Sequence, residues 1–148
     1  MTGRIDCLDT SFLVKRYLEE SGTNESNDLM RKAEMGDLSI VFSAWNIGEV
    51  AVVFDKYDRK NIINGRESMV NFLSDIQRLA KQGSLEIFPV DEEIITDSIK
   101  YVFEQHIYIA DAVQIATYFR SGAKTFWTSD KLLAEAAKRV NIKTSLIL

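Results

Sequence analysis

Short apolar runs typical of β-strands alternate with longer runs of helical spacing, and this alternation constrains the fold more than any other feature of the chain. Strands are predicted at 4–8, 38–42, 85–90, 124–128 and 142–147. Helices are predicted between them, at 11–20, 27–36, 44–60, 68–83, 92–105, 109–122 and 130–140. Strands joined through helices pair in parallel with right-handed crossovers. The pattern therefore predicts a three-layer α/β/α sandwich with a central parallel sheet of about five strands.

The remaining bulk features indicate one ordinary globular domain over residues 1–148. Hydrophobic residues make up 46% of the chain, enough for a core, and we find neither a linker nor a repeat. No apolar run approaches the ~20 residues that a bilayer span needs. The first residues, "MTGRIDCLDT", contain acids where a signal peptide would be apolar, and the single cysteine excludes an internal disulfide. We therefore expect a cytoplasmic protein that does not enter membranes.

Four acidic residues lie in apolar surroundings, where a carboxylate is costly to bury without a partner. Asp9 follows the first strand in "CLDTSFLV", and Asp130 follows the strand "TFWT". Glu49 lies inside "IGEVAVVF" and Asp111 inside "YIADAVQIA", each early in a predicted helix. Ligand sites of parallel sheets lie at the carboxyl ends of the strands. The placements therefore predict that the four carboxylates share one edge of the sheet.

Three of the acids also have a structural explanation of their own, and such an explanation is weakest for Glu49 because Trp45 and Val53 lie one turn away on either side. Asp9 and Asp130 can cap the helices that follow them, and Asp111 can interact with a helix dipole. A helix N-terminus stabilises a carboxylate by only ~0.3–1 kcal/mol, whereas two carboxylates ~4 Å apart repel by about 4 kcal/mol at an effective dielectric of ~20. A cluster of four therefore needs a divalent cation, or protons on some members. An all-carboxylate site suits Mg²⁺ or Mn²⁺.

The chain resembles the PIN-domain ribonucleases, most closely the VapC-type toxins of type II toxin–antitoxin systems. The matching stretches are "CLDTSFLVK", "SAWNIGEV", "IADAVQIA" and "FWTSDKLLAEAAKRVNIK", in the family's order and over essentially the whole chain. The resemblance implies that Asp9, Glu49, Asp111 and Asp130 are the catalytic acids and bind one or two Mg²⁺ or Mn²⁺ ions. It also implies that Ser11 and Thr128 support this site. Tyr118 departs from the family, which has a small residue there, and this affects helix packing more than chemistry.

The resemblance further implies a metal-dependent endoribonuclease that acts on RNA as the toxin of a VapBC-type pair. A homodimer is then expected, together with a VapB-like antitoxin that lies across the acidic groove and is gripped by helices within 44–82. The alternative is a catalytically inactive PIN-fold module that binds RNA or protein. A phosphatase of the haloacid dehalogenase type would need two aspartates two residues apart, whereas Asp6 and Asp9 are three apart.

Contacts to RNA are less clearly indicated, because the net charge is −4 and no basic stripe is evident. Five basic residues are candidates for phosphate contacts, with solvated helix ends as the alternative: Lys15, Arg16, Arg59, Lys60 and Lys131. Trp45 and Trp127 could stack on bases or pack in the core. The sequence leaves both choices open.

Overall fold

Five parallel strands form the centre of this computed structural model, which describes residues 3–148. They are β1 (Ile5–Leu8), β2 (Ser39–Ser43), β3 (Leu85–Phe88), β4 (Thr125–Thr128) and β5 (Thr144–Leu146). Their order in the sheet is β3-β2-β1-β4-β5, and every neighbouring pair is parallel. The predicted parallel sheet is therefore confirmed, with the first strand in its middle.

Helices cover both faces of the sheet. They are α1 (Thr10–Leu13), α2 (Thr23–Glu34), α3 (Ala44–Arg59), α4 (Gly65–Gln82), α5 (Glu92–Gln105), α6 (Ile109–Ser121) and α7 (Lys131–Arg139). Successive strand side chains point to opposite faces, so Leu8 and Phe42 pack with α1 to α4 while Cys7 and Val41 pack with α5 to α7. The predicted three-layer architecture is confirmed. Within residues 3–148, none of the helices combines the length and apolarity needed to cross a bilayer.

Side-chain caps and glycines account for most of the helix ends. Ser43 accepts a hydrogen bond from the N–H of Trp45 at the start of α3, and Asp91 caps α5 in the same way. Asn64 caps α4, which therefore begins at Gly65, three residues before the predicted start at 68. Gly83 ends this helix in the left-handed region at φ 86°.

The helix predicted over 11–20 is wrong beyond its first turns. The α1 helix ends at Leu13 and is followed by a single 3-10 turn over Val14–Arg16. The Nζ atom of Lys15 donates to the Ser21 carbonyl at 2.6 Å, which requires the chain to fold back over this side chain. Gly22 completes the turn at φ 96°, where a Cβ would lie 2.5 Å from the Lys15 Cδ. The contacts of Lys15 therefore override the local helical spacing.

Candidate active site

Four acidic side chains line one cavity of about 500 Å³ where the carboxyl ends of the strands meet. Asp9 directly follows β1, and Asp130 comes two residues after the end of the adjacent strand β4. Glu49 and Asp111 reach the same cavity from α3 and α6. The strand order reverses between β1 and β4, and ligands of parallel sheets bind at such a switch point. The structure thus brings together all four acids that the sequence singled out.

Two hydroxyl groups hold the buried carboxylate of Asp9, which is 6% exposed. Ser11 Oγ donates to its Oδ2 atom at 2.6 Å, and Thr128 Oγ1 donates to the same oxygen at 2.9 Å. Ser11 is fixed in turn by the backbone N–H of Ser129, which donates to its Oγ at 2.8 Å. Asp9 makes no side-chain capping bond to α1, so capping does not explain its position. Both residues predicted to support the site contact this acid.

A chain of buried polar side chains leads to Glu49 from across the protein. Gln114 Nε2 on α6 donates to Asn46 Oδ1 on α3 at 2.9 Å, and Asn46 Nδ2 donates to Thr10 Oγ1 at 3.1 Å. Thr10 Oγ1 then donates to Glu49 Oε1 at 2.9 Å. Because the Thr10 hydroxyl accepts from Asn46, its proton is directed at the carboxylate. The network therefore orients one oxygen of Glu49.

Sequence reasoning missed the three members of this network other than the acid. The available signal was an amide within an otherwise apolar helix face, Asn46 in "AWNIGEV" and Gln114 in "DAVQIA". A buried amide needs hydrogen-bond partners, as a buried acid does. Thr10 carried no comparable signal, because a threonine near a helix start is typical of a cap.

Asp130 has a structural role in addition to its place at the cavity. Its Oδ1 atom accepts hydrogen bonds from the backbone N–H groups of Leu132 at 2.9 Å and Leu133 at 3.2 Å. The carboxylate is therefore the N-cap of α7, as one interpretation of the sequence suggested. Thr128 Oγ1 accepts from the Asp130 N–H at 3.0 Å, which joins this acid to the group around Asp9.

Burial and mutual repulsion raise the pKa of three of the acids. Burial is the main cause that raises the pKa of Asp9, and hydrogen bonds from Ser11 and Thr128 partly oppose it. Burial also raises the pKa of Glu49, and the hydrogen bond from Thr10 partly opposes it. Burial together with the charges of the other three acids raises the pKa of Asp111 from 3.8 to about 6. The other three acids are therefore close enough to affect the ionisation of Asp111.

The donor set fits a hard divalent cation, because every acid at the cavity supplies carboxylate oxygens. The side chains are not yet gathered around a common point. Across residues 3–148, no group of three or more His, Cys, Asp or Glu side chains stands in an arrangement that could hold a metal ion as it is. A cation would require the carboxylates to turn toward one another, against a repulsion that its own charge removes.

The five basic residues considered for phosphate contacts do not line the cavity. No lysine or arginine among residues 3–148 lines it. Lys15 is 8% exposed, and its ammonium group is held by the Ser21 carbonyl and the Glu20 carboxylate. Its charge is therefore engaged in contacts within the protein.

The other four basic candidates lie on the surface with partners or positions of their own. Arg16 is paired with acids on α2 and α4. Arg59 is paired with the acid one turn earlier on α3, and the ammonium of Lys60 lies 5.9 Å from the centre of the Tyr57 ring. Lys131 is exposed in the first turn of α7, directly after Asp130.

The two tryptophans have different roles. Trp127 packs against Phe12 with ring centres 5.3 Å apart and donates its indole N–H to Asp6 at 3.0 Å, so it belongs to the core. Trp45 is 47% exposed and lines the acidic cavity. Tyr108, which the sequence did not single out, lines the same cavity from the start of α6.

Comparison with solved structures finds the same fold in several bacterial proteins. VapBC2 from Rickettsia felis, solved on promoter DNA, matches with a TM-score of 0.66 and 18% identity, over 96% of this chain and 98% of that one. FitAcB from Neisseria gonorrhoeae matches with a TM-score of 0.61 and 19% identity, over 94% and 95%. VapC20 from Mycobacterium tuberculosis, a toxin that cleaves the sarcin–ricin loop, matches with a TM-score of 0.63 and 14% identity, over 88% and 94%.

Sequence comparison identifies the family directly. A search of curated proteins finds no match. The family model of the PIN domain, however, matches residues 7–139. This part of the chain runs from within β1 to the end of α7 and includes all four acids of the cavity. The chain belongs to the PIN-domain family.

Proposed function

We propose that this protein is a metal-dependent endoribonuclease that hydrolyses RNA phosphodiester bonds. The observation that carries the proposal is the meeting of Asp9, Glu49, Asp111 and Asp130, from four separate segments, at one cavity on the switch point of the sheet. Membership of the PIN-domain family and the likeness to VapC20, a toxin that cleaves RNA, support it. The whole chain, residues 1–148, would act as one domain.

The four acids would hold Mg²⁺ or Mn²⁺. A bound divalent cation supplies polarisation of the phosphate and a lowered pKa of a coordinated water. The protein contributes positioning: Ser11 and Thr128 fix the Asp9 carboxylate, and Thr10 fixes one oxygen of Glu49. Burial of Asp9 and partial burial of the other three acids would strengthen their attraction to a cation, because solvent screens it less.

The family setting suggests that the enzyme is a toxin with a protein inhibitor. VapBC2 and FitAcB, whose folds this chain shares, are toxin–antitoxin pairs. We propose a VapB-like antitoxin, a homodimeric toxin and action on RNA in the cytoplasm. The antitoxin would lie across the acidic cavity and be gripped by the long helices α3 and α4.

The test compares cleavage of a panel of structured RNAs by wild-type protein and by the Asp9→Asn variant. We expect cleavage by the wild type in Mg²⁺ or Mn²⁺, none in EDTA, and a loss of at least about 100-fold in the variant, because a ligand of the cation loses its charge. Asp28→Asn, which removes an exposed acid paired with Arg31 and Lys32 on α2, is the matched control and should cleave normally. A fully active Asp9→Asn variant would refute the metal-site mechanism. Metal binding by the wild type without any cleavage would instead favour the inactive binding module.

A further inference from the structure

Two exposed aromatic side chains border the acidic cavity. Trp45 is 47% exposed near the start of α3, and Tyr108 is 74% exposed at the N-cap of α6. Both line the cavity that contains the four acids. We call this pair the aromatic rim. Their position beside the acidic cavity makes both rings available to a ligand that binds there.

Each ring lies one helical turn from an acid. Trp45 precedes Glu49 by four residues on α3, so both project from the same side of the helix. Both side chains line the same cavity. Tyr108 precedes Asp111 by three residues at the start of α6. The rim and the acids are therefore parts of one surface.

Charge cannot be what holds a nucleic acid in this cavity. Among residues 3–148, the lining contains four carboxylates and neither lysine nor arginine. The whole chain has a net charge of −4, so its long-range field also repels phosphate. A bound cation would neutralise the acids at one phosphate only. The rest of the affinity must come from uncharged contacts, and the aromatic rim supplies two exposed rings for them.

We propose that Trp45 and Tyr108 stack on unpaired nucleobases beside the phosphate to be cleaved. The RNA is then held at these two side chains by its bases more than by its backbone. Every base has an aromatic face, so such stacking tolerates many sequences. This inference rests on the proposed ribonuclease function, for which it names two substrate-binding residues.

The first experiment measures binding without relying on cleavage. An unstructured RNA of eight nucleotides with a fluorescent end label is titrated with protein in Ca²⁺, and anisotropy is recorded. Gel analysis afterwards checks that the RNA is intact. We expect Trp45→Ala and Tyr108→Ala each to weaken binding about 5- to 100-fold, as loss of one base-stacking contact does. Phe103→Ala is the matched control, because Phe103 is a comparably exposed aromatic on α5 that does not line the cavity.

A second arm identifies the base as the contacting group. The same RNA is prepared with the two central bases removed, so that its phosphates remain. The RNA without bases should bind the wild type about as weakly as the intact RNA binds Trp45→Ala, and combining both changes should cost little more. Affinity should also fall only slightly with salt, since few phosphates are neutralised by the protein.

Several results would overturn the proposal. The first is that Trp45→Ala and Tyr108→Ala bind intact RNA with an affinity within two-fold of wild type. The second is that these variants lose the same factor in affinity for RNA with and without the central bases. The third is an affinity that falls steeply with salt. The first result, combined with weaker binding of an antitoxin peptide by the same variants, would assign the rim to a protein partner. Because these measurements need no cleavage, they remain decisive even where the wild-type protein proves inactive as a nuclease.

Discussion

The acids at the cavity differ in the hydrogen bonds that they accept, and these differences separate the four residues chemically. Asp9 is deeply buried and held by two hydroxyl donors, whereas Glu49 receives one from Thr10. Burial and the charges of the other three acids raise the pKa of Asp111, and no hydrogen bond from residues 3–148 opposes them. Protonation of Asp111 at mildly acidic pH is therefore favoured in the metal-free protein.

Asp111 contributes to the pH dependence of stability in the metal-free protein. Its pKa is about 6 in the folded protein against 3.8 ordinarily. Between these values the folded state binds more protons than the unfolded state, so stability falls as the pH rises from about 4 to about 6. Asp111→Asn removes the charge, and we expect it to raise the free energy of unfolding at pH 7.5 by about 1 kcal/mol after allowing for solvent screening. Urea unfolding in EDTA at pH 4.5 and 7.5 checks this, and an equal gain at both values would contradict it.

The Thr10 hydroxyl is predicted to matter for metal binding although it lies outside the set of acids. Thr10→Val keeps the shape of the side chain but removes the hydrogen bond to Glu49 Oε1. We expect the affinity for Mn²⁺, measured by titration calorimetry, to fall about 10-fold, as is usual when a contact that orients a ligand is lost. Thr117→Val is the control, since this buried hydroxyl on α6 has no hydrogen-bond partner among the described residues. Equal affinities for both variants would show that the network does not orient Glu49.

At the scale of elements, the short helix α7 shares a residue with the proposed metal site. Asp130 caps the helix through Oδ1 and also lines the cavity. The two roles have different chemical requirements, because an N-cap needs an oxygen acceptor whereas cation binding needs a charge. A neutral acceptor at this position therefore separates them.

Substitutions of Asp130 should divide stability from activity. Asn caps a helix as well as Asp does, so we expect Asp130→Asn to unfold at nearly the wild-type temperature while losing RNA cleavage. Asp130→Ala should lose cleavage and, in addition, about 1 kcal/mol of stability. Thermal unfolding and a cleavage assay on the same preparations provide the measurement. Full activity in Asp130→Asn would restrict this residue to its capping role.

At the scale of the whole molecule, the four acids link elements on both sides of the sheet. Asp9 and Glu49 belong to the side of the sheet covered by α1 to α4. Asp111 on α6 and Asp130 at the start of α7 belong to the side covered by α5 to α7. A cation bound by all four would therefore connect both layers at the carboxyl end of the sheet. Such binding favours the folded state, since the unfolded chain has no comparable site.

Adding Mn²⁺ to metal-free protein should raise the unfolding temperature. At 100 times the dissociation constant the gain is about 2.7 kcal/mol, which corresponds to roughly 5–10 °C for a domain of this size. Scanning fluorimetry in EDTA and in Mn²⁺ measures the shift. Asp111→Asn should show little of it and Asp28→Asn all of it, while an equal shift in both variants would place the stabilising ion elsewhere.

The fold could be predicted largely because its signals are local. Helix α5 occupies the predicted residues 92–105, since Asp91 caps its start and the apolar spacing continues to its end. The helix over 11–20 could not be predicted, because the burial of Lys15 and its bond to Ser21 depend on a fold-back that the spacing does not encode. Caps and apolar spacing therefore predicted helix α5, whereas the tertiary contacts of Lys15 decided where the helix after β1 ends.

The sequence by itself determined the alternation of strands and helices and the four acids in apolar surroundings. Only the tertiary structure decided that Gln114 and Asn46 connect to Glu49 through Thr10. It also decided that Trp45 and Tyr108 line the acidic cavity, whereas Trp127 packs against the core. The physical reason is distance along the chain. Periodicity and capping involve neighbours within a few residues, whereas these contacts join segments tens of residues apart that only the packed sheet brings together.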